Sequence, residues 1–287
     1  MILGPSLMAK KTLKDIRSVR GDSRFAKERA QYDYGRFDMN PNIRAIFFAH
    51  PRSGSSSLYQ MLQLHPELNI LEEPFNENFT RWNSSNKNYR ELIYDIPSLD
   101  VQVAEIFTNF NCIKVLDYQL PDDLTIHMLR RLDYKIIFLR RRNLLQSVVS
   151  VLIAEQTHLW KKWEMTKPLE EYYLGLQPLD IQDIQQRVTD LKQHLNFFES
   201  FIDTRSKDDV IKLTYEDFFF SEASQQKWQI DAIWKLLKIA TLESEYYQYY
   251  LQPEAVKINS AATYAFLPNA TEIQEYCGND VTGWLYD

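Results

Sequence analysis

The residues best suited to gripping an anion sit together in Phe47-Phe48-Ala49-His50-Pro51-Arg52-Ser53-Gly54-Ser55-Ser56-Ser57-Leu58. A short apolar run enters this stretch, a Pro/Gly/Ser cluster turns it, and a helical pattern leaves it with Leu58, Met61, Leu62 and Leu64 on one side. Such a turn presents free backbone N–H groups, one glycine for close approach (Gly54) and a cationic side chain (Arg52). Ser53 and the hydroxyls of Ser55, Ser56 and Ser57 surround the positive end of the helix. Serines at a helix start are also ordinary N-caps, but strand, arginine and glycine together favour phosphate binding over capping alone. The nucleoside-triphosphate loop G-x-x-x-x-G-K-[ST] is not met, because its first glycine and its lysine are missing.

A second cationic cluster follows the apolar run Tyr134–Leu139, where Arg140, Arg141 and Arg142 stand in succession and Ser150 comes eight residues after Arg142. An arginine fork at a strand end supplies charge-assisted hydrogen bonds. A serine two helical turns along presents its hydroxyl on the same side. Arg140 and Arg141 are alternatives for that role, and Ser147 lies seven residues after Arg140. Lys114, inside the run Cys112–Leu116, adds charge if its strand end reaches the same crevice. Of the five histidines, His50 stands beside the first loop and is a candidate base. His65 reads as a helix end, His127 and His194 as structural residues on helical patterns, and His158 as a pocket neighbour of Trp160 and Trp163. No His/Cys/acid spacing suggests a metal, and Cys112 and Cys277 form neither metal nor redox spacing.

These groups need a scaffold, and the rest of the chain supplies one. Short apolar runs at 44–49, 112–116, 134–139 and 210–214 alternate with helical patterns. The clearest pattern spans 181–202, where Ile181, Ile184, Val188, Leu191, Leu195, Phe198 and Ile202 recur at intervals of three and four. Another spans 226–239. The alternation predicts an α/β fold, a central parallel sheet flanked by helices on both faces, which binds ligands at the carboxyl ends of its strands. At 45% apolar and 25% charged residues the chain can bury a core, which excludes a disordered protein. Residues 1–42 form a basic arm, with a helix expected around 22–32, and 43–287 a single domain. Over residues 1–44, ten Lys and Arg face five Asp and Glu, so with a total charge of −6 the remainder is strongly acidic. That excludes non-specific nucleic-acid binding and suits a neutral or cationic small-molecule partner. No apolar run approaches a membrane span and none at the start suits a secretion signal, so a cytoplasmic protein is expected.

Pro51-Arg52-Ser53-Gly54-Ser55-Ser56 resembles the 5′-phosphosulfate loop of sulfotransferases that use 3′-phosphoadenosine 5′-phosphosulfate (PAPS), typically Pro-[Lys/Arg]-Ser-Gly-[Thr/Ser]-[Thr/Ser]; its arginine is like that of the Golgi and bacterial branches. The pair Arg142 and Ser150 has the spacing of that family's 3′-phosphate grip. Leu213-Thr214-Tyr215-Glu216-Asp217-Phe218 is similar to its Tyr-Glu-Asp strand end, which implies Tyr215 near the adenine. Cys112-Ile113-Lys114-Val115-Leu116 resembles the central lysine-bearing strand of bacterial members, and the tail through Gly283-Trp284-Leu285 their ending. The chain departs from cytosolic members in two places. Ser57 stands where they carry an aromatic residue, and the Arg-Lys-Gly segment that closes over the 3′-phosphate is absent, with Lys257 as a candidate substitute.

The resemblance implies sulfuryl transfer from PAPS to a small acceptor with release of PAP, and no metal. Arg52, Ser55, Ser56 and the helix start would steady charge on the transferring group, with Lys114 assisting. Leu71-Glu72-Glu73-Pro74-Phe75 resembles the Glu-Pro element of the bacterial and Golgi branches, which implies Glu73 as base, with His50 the alternative because cytosolic members use a histidine. Aromatics in two segments, Phe75, Phe79, Trp82 and Tyr89 in one and Trp160, Trp163, Tyr172 and Tyr173 in the other, are candidate acceptor walls. A natural-product acceptor, either a guanidinium alkaloid of the saxitoxin type or a saccharide, would suit them. Two rivals stay open at this point: a small-molecule kinase using ATP, and a non-catalytic adenine-nucleotide-binding protein.

Overall fold

The apolar runs become strands of one parallel sheet in the computed structural model, which describes residues 39–77, 87–160, 164–243, 247–252 and 261–286. β1 (Ala45–Ala49), β2 (Ile70–Glu72), β3 (Cys112–Leu116), β4 (Lys135–Arg140) and β5 (Val210–Thr214) lie in the order β2-β3-β1-β4-β5. Every pairing is parallel. The chain moves from β1 to one edge and then crosses to the other side of β1, so β1 marks the point where strand order reverses. At such a point the connections part and leave a crevice beyond the strand ends.

All five residues of β1 are buried, as a strand covered on both faces requires. Its alternation sorts two cores. Ala45, Phe47 and Ala49 join Leu58 and Met61 of α1 (Ser55–Leu62), with Ile230 and Trp234 of the helix Ala223–Leu237. Ile46 and Phe48 join the opposite core, with Leu99 and Val103 of α2 (Ile96–Asn109), Leu124 and Met128 of α3 (Asp122–Arg130), and Phe198. Phe48 stacks on Phe138 and takes the edge of Phe198 at 5.1 Å. Helices thus cover both faces, as the sequence predicts. A further core lies between α4 (Leu144–Thr157), α5 (Leu169–Tyr173), α6 (Ile181–Ile202) and the C-terminal helix Ala270–Cys277.

Completing the order, α7 (Tyr215–Phe219) follows β5 without a loop, α8 is Ala223–Leu237, α9 is Ala261–Tyr264 and α10 is Ala270–Cys277. The expected strands at 112–116 and 210–214 and the helix at 181–202 are found with those bounds, while the helix expected from 226 starts at Ala223. β2 was not expected, since three residues carry no periodicity. Of the basic arm only residues 39–42 are described; the rest of it, and the helix expected around 22–32, lie outside the described residues.

Register is what gathers the site. Ala49 pairs with Leu116 of β3 and with Leu139 of β4, so β1 and β3 end level and β4 runs one residue further. His50 and Asp117 therefore leave the sheet side by side, level with Arg140 at the end of β4.

Candidate functional site

The loop after β1 is built from its own side chains. Ser53, fully buried, donates its hydroxyl to the His50 carbonyl at 2.6 Å, so it holds the loop together rather than facing outward. Arg52 (φ 63°) and Gly54 (φ 82°) are left-handed, a conformation that costs a residue with a side chain about 1–2 kcal/mol. A Cβ at Gly54 would stand 2.6 Å from Phe219 and 2.7 Å from Tyr215, both in α7, so the position requires glycine twice over. Gly54 is also the N-cap of α1, and no side chain caps that helix. The capping explanation for the serines therefore fails. The Ser57 N–H returns to the Gly54 carbonyl at 3.0 Å, whereas those of Ser55 and Ser56 donate to no acceptor among the described residues. Ser55 and Ser57 are buried and Ser56 is half-buried.

Two arginines lie beside this loop, Arg52 within it and Arg141 bonded to its backbone. Arg52 donates from Nε to Ser150 Oγ at 2.8 Å and from Nη1 to the Trp160 carbonyl at 2.6 Å, and pairs with no carboxylate among the described residues. Desolvation pushes its pKa below the ordinary guanidinium value, and the charge of Arg141 adds to that. Arg141 donates from Nη1 to the Arg52 carbonyl at 3.2 Å and from Nη2 to Gln146 Oε1, and lies 4.7 Å over the Tyr215 ring. Its Nε has no hydrogen-bond partner, and Glu216 approaches it only to 3.8 Å. A buried and a half-buried cation side by side, neither hydrogen-bonded to a carboxylate, are costly unless an anion joins them.

Strand alternation decides which arginine takes part. Arg140 turns to Glu199 of α6, Arg141 turns under the loop, and Arg142 turns outward to a two-pronged pair with Asp217 at 2.8 and 3.0 Å. The expected joint grip of Arg142 and Ser150 is thus not assembled: the Arg142 side chain is 55% exposed, and Ser150 meets Arg52 instead. The Arg142 and Asn143 N–H groups already donate to the Glu216 carboxylate, which occupies the start of α4. Sequence reasoning missed Tyr264. Its buried hydroxyl has no partner among the described residues, desolvation raises its pKa, and it lies in the field of Arg141 and Arg52.

On the β3 side of β1 the chemistry differs. Lys114, fully buried on the α1 face, donates to Glu73 Oε1 at 2.8 Å and Glu72 Oε1 at 3.0 Å. Desolvation alone would lower its pKa, but the charges of Glu73 and Glu72 outweigh it and raise the ammonium above its ordinary value. Lys114 is therefore a neutralised strand residue and does not reach past the strand end. Glu73 (φ 50°) also accepts at Oε2 from Gln119 at 3.1 Å and Asn76 at 3.0 Å, so both oxygens are engaged. His50 donates from Nδ1 to Asp117 Oδ2 at 2.7 Å, and its Nε2 has no partner among the described residues.

Of the candidate acceptor aromatics, Trp160 accepts from Arg52 through its carbonyl and Tyr173 lies in the field of Arg52. Phe75 and Tyr89 belong to the core of the α2 face, and Tyr173 to that of α4 and α6. Trp160 and Tyr172 are half-buried. His158 is the exposed left-handed C-cap of α4. Phe79, Trp82, Trp163 and Lys257 lie outside the described residues. Among the described residues no group of three His, Cys, Asp or Glu side chains is placed to hold a metal ion, and no helix is long and apolar enough to cross a membrane. Cys112 is a core residue whose thiol burial pushes up to about 12.

No protein-family model matches the chain, and no curated protein is similar to it in sequence. Among the solved structures to which it is similar are two sulfotransferases. One is the mouse sulfotransferase SULT7A1 complexed with PAP, 14% identical over 76% of this chain and 66% of its own, with a TM-score of 0.38. The chain thus spans just under two thirds of the mouse protein. The other is a sulfotransferase from Alicyclobacillus acidocaldarius, 16% identical over 79% of this chain and 95% of its own, with a TM-score of 0.40.

Proposed function

We propose that the chain is a sulfotransferase that moves a sulfuryl group from PAPS to a hydroxyl or nitrogen of a small molecule and releases PAP. The observation that carries this reading is the uncapped start of α1 immediately after Arg52, a cation with no carboxylate partner among the described residues. A helix start, a left-handed glycine and two converging guanidinium groups fit a multiply charged phosphate ester. The hexapeptide Pro51–Ser56 narrows that ester to a phosphosulfate, and the missing glycine and lysine of the triphosphate loop weigh against ATP.

In this reading Arg52, Ser55, Ser56 and the N–H groups of α1 hold the phosphosulfate. Arg141 and Ser150 serve the second phosphate, with Arg142 the competing assignment, and Tyr215 and Tyr264 flank the nucleoside. The donor supplies an activated sulfur. The acceptor oxygen or nitrogen forms a bond to sulfur as the sulfur–oxygen bond to the phosphate breaks, PAP leaves with that oxygen, and the acceptor proton passes to a base. Positioning and charge carry most of the catalysis in such a loose transfer. Between the two candidate bases we favour His50, whose Nε2 is unengaged, over Glu73, whose oxygens are already bound by Lys114, Gln119 and Asn76. The acidic body suits a neutral or cationic acceptor, a guanidinium compound or a saccharide.

Thermal shift with PAP, PAPS and ATP, followed by PAP release from PAPS with an acceptor panel holding both classes, tests the reading. Stabilisation by PAP and turnover of at least one acceptor is the expected result. Preference for ATP would indicate a kinase, and PAP binding without turnover a nucleotide sensor.

A further inference from the structure

The level strand ends bring His50, from the exit of β1, beside Asp117, from the exit of β3. The Asp117 N–H donates to the Ala49 carbonyl at 3.1 Å, which locks the two main chains before their side chains meet. The Asp117 carboxylate is 2% exposed. Its Oδ1 accepts no hydrogen bond among the described residues, and its Oδ2 receives His50 Nδ1 at 2.7 Å. A buried carboxylate needs a cation or donors nearby, and Lys114 is already held by Glu72 and Glu73. What faces Asp117 instead is a second imidazole: His194 of α6, with Nε2 3.6 Å from the same Oδ2. The His194 ring meets the edge of Phe198, which packs on Phe48 of β1, so the second histidine is seated by the core. Among the described residues Tyr118, beside Asp117 in the loop after β3, also lies in this field.

We propose that Asp117 is the positioning residue of His50, and that His194 shares the Asp117 oxygen and thereby sets the basicity of His50. The proposal rests on the reading of His50 as base. An ionised Asp117 requires the proton of neutral His50 to sit on Nδ1, which leaves the Nε2 lone pair as the acceptor. When the acceptor proton arrives on Nε2, the resulting imidazolium lies against the carboxylate and is steadied by it. His194 draws on the same oxygen, so a charged His194 weakens that support. His194, on a regular helical face, thus has work beyond packing.

The test uses the full chain with 15N-labelled histidine, with His50 assigned through His50→Gln. Neutral wild-type His50 should carry its proton on Nδ1; a proton on Nε2 would overturn the proposal without any variant having to fold. Asp117→Asn should lower the His50 titration midpoint by about one unit or more, a roughly tenfold loss of proton affinity. His194→Gln should move it the other way by a smaller amount. An unmoved His50 in Asp117→Asn would overturn the role of Asp117, and an unmoved His50 in His194→Gln that of His194. With PAPS and an acceptor from the panel, the rise of kcat with pH should move to lower pH in Asp117→Asn and to higher pH in His194→Gln, with KM for PAPS unchanged. Thermal shift by PAP keeps the two readings apart. If PAP fails to stabilise the wild type, the donor assignment falls while the tautomer of His50 still decides the Asp117 contact.

Discussion

The two flanks of β1 handle charge in opposite ways. Toward β4, Arg52 and Arg141 come together with carbonyl and hydroxyl partners but no bonded carboxylate. Toward β3, Lys114 is bound by two carboxylates, and Asp117 faces two imidazoles. In the proposed reading an anion from outside completes the first flank, and the second, an acid–base network, handles the proton. That reading separates binding from proton transfer across a single strand, and it can be broken from either side.

The largest expected effect is on the closed flank. Lys114→Met leaves Glu72 and Glu73 buried against an apolar group, and unfolding by urea should show a loss of about 3–5 kcal/mol at neutral pH. The loss should shrink as pH falls and the two carboxyls take up protons. In the wild type the folded-state pKa of Lys114 is raised, so its contribution is complete below the ordinary value of 10.5 and fades only as pH rises through the higher folded value. Next comes Gly54→Ala, where overpacking against Tyr215 and Phe219 costs about 1–3 kcal/mol and should also abolish stabilisation by PAP. On the open flank, Arg52→Ala and Arg141→Ala should each weaken PAP by about 1.5–3 kcal/mol in calorimetry, as expected for a lost hydrogen bond to a charged group. The smallest effect is expected for Arg142→Ala. Its exposed pair with Asp217 contributes about 0–1 kcal/mol, so PAP affinity should hardly change; a loss as large as that of Arg141→Ala would restore Arg142 to the grip.

The strands were legible because a parallel sheet covered on both faces writes itself as continuous apolar runs, and α6 because its stripe is long and regular. The strand, left-handed glycine and helix start of the first loop could be read from local features, arginine, glycine and serines between a strand and a helix. Choosing among Arg140, Arg141 and Arg142 needed more. Spacing to Ser150 pointed to Arg142, whereas the alternation that sends Ile137 and Leu139 to the α1 face also sends Arg141 there. Tyr264 is more than a hundred residues from the arginines it joins, and Asp117 is 67 residues from His50. No local pattern records such encounters, since they depend on strand order and register. Glu73 was singled out from a short motif, and its engagement by Lys114, Gln119 and Asn76 could not be read from that motif.

The bond from Arg52 to the Trp160 carbonyl has a kinetic consequence. Arg52 has five N–H donors and gives two of them to Ser150 and Trp160, so a phosphate that used the others would meet a side chain already held by the chain that follows α4. In the proposed reading donor binding is therefore coupled to the placement of Trp160, and an order with donor first and PAP last to leave is the expected outcome. Initial-rate patterns report it directly, with PAP competitive toward PAPS and noncompetitive toward the acceptor.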